Sequence, residues 1–138
     1  MRVFLDTNIL LDTLVERPDP KFGDDAATIL ALGENGTVKL FMSVLSIPTI
    51  AYVLKNMTAA RKKAVISDIL SVVELLPSLP QHVVEMLDGT MKDIEDSLQV
   101  QSAKEGQCDL IVTRNLADFR GSDIPAISPD DFLRRILG

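Results

Sequence analysis

The stretch Val3-Phe4-Leu5-Asp6-Thr7-Asn8-Ile9-Leu10-Leu11-Asp12 constrains the fold more than any other part of the chain. Val3, Phe4 and Leu5 make a short apolar run containing a β-branched and an aromatic residue, as in a buried strand. Asp6 ends the run. Asp6, Thr7 and Asn8 are residue types that cap helices, and Ile9, Leu10, Thr13 and Leu14 follow at helical spacing. A strand therefore leads directly into a helix, with a carboxylate at the junction. In an open α/β sheet that junction lies at the carboxyl edge of the strands, where ligands bind. Taken alone, Asp6 reads first as a helix cap and second as a holder of a cation.

The alternation continues along the chain. Residues 17–24, with Pro18 and Pro20, read as a loop. Ala26 to Leu32 form a second helix, ending near Gly33 to Gly36, and Val38 to Met42 a second strand. A third helix, Ile47 to Asn56, carries Pro48 in its first turn, where a missing N–H costs little, and the apolar stripe Ile47, Ile50, Ala51 and Leu54. Thr58 opens a fourth helix that runs to about Ser71. Val72 to Leu76 read as a strand, Pro80 to Leu87 as a short helix, and Asp93 to Glu105 as a longer one closed by Gly106. Leu110 to Thr113 and Ala126 to Ile127 are the last strands. Pro129 to Ile136 form the terminal helix, with Ser128 as its cap and Asp131 three residues on. This order indicates an α/β fold in which helices flank a central, mostly parallel sheet. The 138 residues fit a single domain spanning 1–138.

Composition narrows the function classes. A hydrophobic content of 46% suits a folded globular domain. No apolar run approaches the roughly 18 residues of a membrane span, and the N-terminus lacks the basic region and cleavage site of a signal peptide. Cys108 is the single cysteine, so no internal disulfide forms and a cytoplasmic location fits. Beside Leu110-Ile111-Val112 it reads as a packing residue. The net charge of −6 argues against a general nucleic-acid coat protein. It is compatible with a nuclease, because charge repulsion is screened beyond a Debye length of about 8 Å.

Three places put acidic or polar groups at element ends: Asp6; Asp93-Ile94-Glu95-Asp96; and Thr113-Arg114-Asn115-Leu116-Ala117-Asp118-Phe119. Each has a structural reading. Asp93 caps a helix, Asp96 enriches its first turn, and Thr113 to Asp118 make a polar turn. Parallel strands, however, place their carboxyl ends on one side of the sheet. Were Asp6, Asp96 and Asp118 to meet there, two charges about 5 Å apart at an effective dielectric of about 20 would repel by roughly 3 kcal/mol. At least one carboxyl pKa would then be raised. A divalent cation offsets the repulsion, and hard oxygen ligands suit Mg²⁺ or Mn²⁺. No zinc-type cluster of Cys and His is present.

The three blocks, in this order and at these separations, resemble the signature blocks of PIN domains. They are Val-Phe-Leu-Asp6-Thr7-Asn8-Ile-Leu-Leu-Asp12, Asp93-Ile-Glu95-Asp96-Ser97-Leu98-Gln99 and Ile-Val-Thr113-Arg114-Asn115-Leu-Ala-Asp118-Phe119. The closing Ile124-Pro125-Ala-Ile-Ser128-Pro129 fits as well, so the likeness covers essentially the whole chain. It is greatest to the single-domain, VapC-like ribonuclease toxins of type II toxin–antitoxin systems. The resemblance implies a PIN-like fold and Mg²⁺- or Mn²⁺-dependent hydrolysis of RNA. It also implies a cognate antitoxin as partner and a homodimer. Residue by residue, it implies Asp6 and Asp96 as metal ligands and Asn115 or Asp118 at the last acidic position. Asp93 and Glu95 would be additional ligands. Thr7, Asn8 and Thr113 would orient the carboxylates.

The chain departs from the family pattern at one point: Thr49 stands where a glutamate is expected on the third helix. Asp12 and Glu95 are the candidates to make up the missing charge. A non-catalytic or weakened PIN module that binds RNA or a protein partner is therefore the alternative function. A nucleotide-binding domain is disfavoured, since no glycine-rich loop follows the first strand. For RNA contact, Lys55 and Arg114 are expected near the active edge. Arg61, Lys62 and Lys63 are a further basic run that more often makes a solvated helix face. Tyr52 reads as core before base-stacker, and His82 as an exposed helix-start residue.

Overall fold

Alternate residues of each central strand face opposite ways, and here both faces are covered. The computed structural model describes all residues from Met1 to Gly138. Its strands are β1 (Arg2–Leu5), β2 (Lys39–Ser43), β3 (Val73–Leu76), β4 (Leu110–Val112) and β5 (Ala126–Ile127). They form one five-stranded sheet in the order β3-β2-β1-β4-β5, with every pairing parallel. The helices are α1 (Thr7–Asp12), α2 (Pro20–Glu34), α3 (Ser46–Val53), α4 (Ala59–Leu70), α5 (Pro80–Leu87), α6 (Ile94–Glu105) and α7 (Pro129–Leu137).

Val3, Leu5, Leu40, Met42, Leu110 and Val112 turn to one face. There they pack with Ile9 and Leu10 of α1, Ile29 of α2, Ile50 of α3 and Phe132 of α7. Phe4, Phe41 and Ile111 turn to the other face and meet Val100 and Ala103 of α6, with Cys108 and Phe119. Cys108 is thus a packing residue, and burial pushes its thiol up to about 11, which leaves it without thiolate character at neutral pH.

The strand order fixes the place of function. Register runs from β1 to β2 on one side (Phe4 beside Phe41) and from β1 to β4 on the other (Phe4 beside Ile111). The connections therefore reverse direction between β1 and β4. Adjacent connections part there, and a crevice opens beyond the carboxyl ends of these two strands. Asp6 follows β1 and Thr113 follows β4.

Four sequence expectations need correction. Residues 17–24 are not all loop, because α2 already starts at Pro20. Asp19 accepts a hydrogen bond from the Lys21 N–H at its N-terminus, and a proline at the first helical position loses no bond the helix would have made. His82 is 2% exposed rather than solvent-facing. Its Nδ1 accepts from the Leu79 N–H at 3.0 Å, closing the first turn of α5, and its Nε2 lies 3.4 Å from Glu105. Tyr52 is 67% exposed rather than core, since two residues beyond Ile50 it falls on the far side of α3. Asp6 occupies the N-cap position of α1, but its side chain makes no cap bond.

Candidate functional site

Asp6 forgoes capping because its carboxylate is turned into the crevice. It is 3% exposed. The Thr113 hydroxyl donates to its Oδ2 at 2.8 Å, and the Gln99 side-chain amide donates to its Oδ1 at 3.2 Å. The same Gln99 nitrogen donates to Asp96 Oδ1, also at 3.2 Å. Asp96 and Gln99 are three residues apart on α6 and so share one face. α6 in turn is started by Asp93, whose Oδ1 accepts from the Asp96 N–H at 2.8 Å. Thr113 is fixed by a second bond, since its Oγ1 accepts the Asn115 N–H at 3.0 Å. Thr7 shares a 2.7 Å hydroxyl–hydroxyl bond with Ser46 and so ties α1 to α3.

Asp6, Thr7, Asn8, Thr49, Asp93, Glu95, Asp96, Asn115 and Asp118 line one cleft of about 290 Å³, and none of them is apolar. Every residue nominated from the three sequence blocks as a ligand lies on this wall. Thr49, where the resemblance leads to the expectation of a glutamate, lies there too.

The electrostatics are strained. Burial is the main reason the Asp6 carboxyl is raised above the ordinary range; the bonds from Thr113 and Gln99 oppose that rise. Burial also leads at Asp96, joined by repulsion from Asp6, Asp93, Asp118 and Glu95, and pushes that carboxyl up to about 7. The expected clustering of charge is thus present. A cluster short of positive charge is the setting in which a cation gains most. Asp6, Asp96, Asp118 and the Asn115 amide offer hard oxygen donors, and that chemistry fits Mg²⁺ or Mn²⁺. The arrangement is open: no three His, Cys, Asp or Glu side chains are drawn together into a ready cage.

The basic residues are distributed differently from the sequence expectation. Arg114 donates twice to Asp12, from Nε at 2.7 Å and from an Nη at 3.0 Å, and stacks over Phe22. Arg17 donates to the same Asp12 at 2.8 Å. Asp12 is thereby neutralised and stands outside the cleft, so Glu95 is the one of the two proposed compensating acids that reaches it. Lys55 lies over the Tyr52 ring, 4.7 Å from its centre. Lys55 and Arg61 are not among the cleft-lining residues.

Sequence reasoning gave no role to three residues. Gln99 was recognisable only by its spacing from Asp96. Lys92 and Arg120 line a second cleft that shares Asp93 and Asp118 with the first, and they carried no motif.

Comparison with known proteins agrees with this fold. The chain is 32% identical to "Ribonuclease VapC1" of Aquifex aeolicus (strain VF5), over 97% of this chain and 94% of that protein. Among solved structures it is similar to VapBC2 from Rickettsia felis bound to a DNA fragment from its promoter, with a TM-score of 0.68 and 16% identity over 93% of this chain and 98% of that one. A toxin–antitoxin complex from Klebsiella pneumoniae gives 0.67 and 18% identity, over 92% and 97% of the two chains. At such identities these two show a shared fold. The model of the PIN domain matches residues 2–117, and with it the sequence blocks and the acidic crevice find a single account: the chain belongs to the PIN domain family.

Proposed function

We propose that this chain is a Mg²⁺- or Mn²⁺-dependent endoribonuclease and the toxin of a toxin–antitoxin pair. The observation that carries the reading is the pair Asp6 and Asp96. Two carboxylates from different elements meet on one amide nitrogen, at the strand-order reversal, with no cationic side chain bonded to either. The relative named as a ribonuclease, alike over nearly the full length of both chains, supports RNA as the substrate. The toxin–antitoxin complexes among the structural neighbours support an antitoxin partner. We extend the family likeness to a homodimer and a cytoplasmic location. No helix is long and apolar enough to cross a membrane.

In this reading Asp6 and Asp96 would hold the cation, with Asp118, Asn115, Asp93 and Glu95 lining the same cleft. Thr113 and Gln99 fix the direction of the Asp6 oxygens. Thr7, bonded to Ser46, fixes the start of α1, and Asn8 lines the cleft beside it. A divalent ion held there supplies Lewis acidity towards a phosphodiester. The exposed Asp118 side of the cleft admits the RNA, and the buried Asp6 side excludes water from behind the carboxylates.

The test compares native, Asp6→Asn and Thr49→Glu proteins on single-stranded RNA, with Mn²⁺ and with EDTA, using circular dichroism to check folding. Cutting by the native protein that needs Mn²⁺ and is absent from Asp6→Asn supports the reading. Cutting that survives both Asp6→Asn and EDTA overturns it. A second reading, a weakened module that binds RNA or protein, is favoured by one observation: Thr49 lies in the cleft at the glutamate's place. It predicts an inert native protein that gains cleavage on Thr49→Glu.

A further inference from the structure

Gln99 is 1% exposed, on α6 and against the end of β1. Its Nε2 spends both hydrogens on carboxylates of two different elements. Its Oε1 is buried and has no hydrogen-bond partner. The amide's orientation is not arbitrary: turned over, it would press an oxygen against two anions. An orphaned buried acceptor is unfavourable, because it loses its hydrogen bond to water and gains none. Leucine or methionine would fill a similar volume without that cost. Packing alone therefore does not account for glutamine at this position.

Charge gives the reason. A lysine or arginine here would satisfy both carboxylates more fully, as Arg114 and Arg17 satisfy Asp12, but would bring a full positive charge to the place where a cation is needed. A neutral amide draws two carboxylates towards one point without cancelling them. It takes one oxygen of each: the second oxygen of Asp6 accepts the Thr113 hydroxyl, and the second oxygen of Asp96 faces the cleft without a donor from the protein.

We propose that Gln99 is a positioning residue that sets the spacing of Asp6 and Asp96 for a divalent cation. The inference rests on the reading of the cleft as a Mg²⁺ or Mn²⁺ site. It assigns to Gln99 no contact with substrate.

The experiment is Mn²⁺ titration by calorimetry on three proteins: native, Gln99→Met and Gln99→Asn. Folding is checked by urea melts. Methionine keeps the volume and removes the donor, so Gln99→Met is expected to bind Mn²⁺ at least about tenfold more weakly, the usual loss when a partner of a ligating group is removed. Asparagine is one methylene too short to reach both carboxylates and is expected to lose about as much. Gln99→Met or Gln99→Asn binding Mn²⁺ as tightly as native protein overturns the inference and leaves the metal site standing. Native protein that binds no Mn²⁺ overturns the site reading and this inference together. If the substituted proteins do not fold, the native one still decides. The Gln99 side-chain NH₂ resonances should shift as Mg²⁺ is added and return with EDTA, and resonances unmoved at saturation overturn the proposal.

Discussion

Two aspartates, Asp6 and Asp12, bracket α1. Each is 3% exposed, and their surroundings are opposite. Asp12 receives three hydrogen bonds from two guanidiniums, Arg17 and Arg114. Asp6 receives a hydroxyl and an amide, both neutral. A buried carboxylate that is fully paired belongs to the structure, and removing one partner strands the others. A buried carboxylate held only by neutral donors, with further acids facing it, is electrostatically incomplete, and such groups cluster at functional sites. The difference separates the fold's anchor from its candidate chemistry within a single short helix. It also explains where the arginine of the third sequence block goes. Arg114 is next to Thr113 in sequence, yet its charge reinforces Asp12 and reaches Asp6 only as a through-space influence that lowers its pKa.

The largest expected effect breaks the symmetry of the pair by activity. Asp6→Asn keeps the shape of the side chain; its oxygen can still accept from Gln99 while its NH₂ donates to the Thr113 hydroxyl, so the protein stays folded while RNA cleavage falls to background, by a hundredfold or more on the order of losses at electrostatic catalytic groups. A gel assay with Mn²⁺ reads this. Asp6→Asn protein that cuts at the native rate would show that Asp6 is only a polar filler at the strand end.

Next in size is the converse change. Asp12→Asn leaves two guanidiniums without their anion, one of them stacked on Phe22. It is expected to lower stability by about 3 kcal/mol, at the lower end for a broken buried pair, as measured by urea unfolding. Where the protein remains folded, its Mn²⁺ affinity should stay near native, because Asp12 is not on the cleft wall. An Asp12→Asn protein of native stability would remove the contrast between the two aspartates.

A smaller effect concerns the cation. An ion that binds only the folded protein stabilises it by about 1.4 kcal/mol at ten times its Kd. Millimolar Mg²⁺ should therefore raise the melting temperature of native protein and raise it less in Asp6→Asn. Equal shifts in the two proteins would mean that Mg²⁺ acts elsewhere on this acidic chain.

Much of this was legible in the sequence, for particular reasons. Val3 to Leu5 and Leu110 to Val112 are apolar runs each ending in a polar residue, so a parallel sheet with Asp6 and Thr113 at its carboxyl edge followed from local pattern. Asp96 was legible because Asp93 marks the start of its helix, and the structure has that cap. Gln99 and Asp12 were not legible, because their roles depend on partners distant in sequence. Gln99 meets Asp6 across 93 positions, and Arg114 meets Asp12 across 102. The start of α2 was missed because Pro18 and Pro20 read as breakers, although proline at the first helical position is compatible with the helix. His82 and Tyr52 were misjudged because exposure depends on which face of α5 or α3 meets the rest of the molecule, and short helices leave that ambiguous.

The smallest effect sharpens the comparison through protons. Asp96 has a folded-state pKa raised to about 7 from an ordinary 3.8. Between those values the folded protein binds this proton more tightly than the unfolded chain does, so stability contributed by the group is present below about pH 4 and declines as pH rises towards 7. Asp6 is raised in the same direction. In metal-free buffer the melting temperature of native protein should therefore fall, relative to Asp96→Asn, as pH goes from 4 to 8. The comparison with Asp96→Asn removes the contribution of groups common to both proteins. Curves that run parallel would show that the Asp96 carboxylate is not strained in the folded protein. Added Mg²⁺ should flatten the native curve near neutral pH, because the ion offsets the repulsion that deprotonation restores.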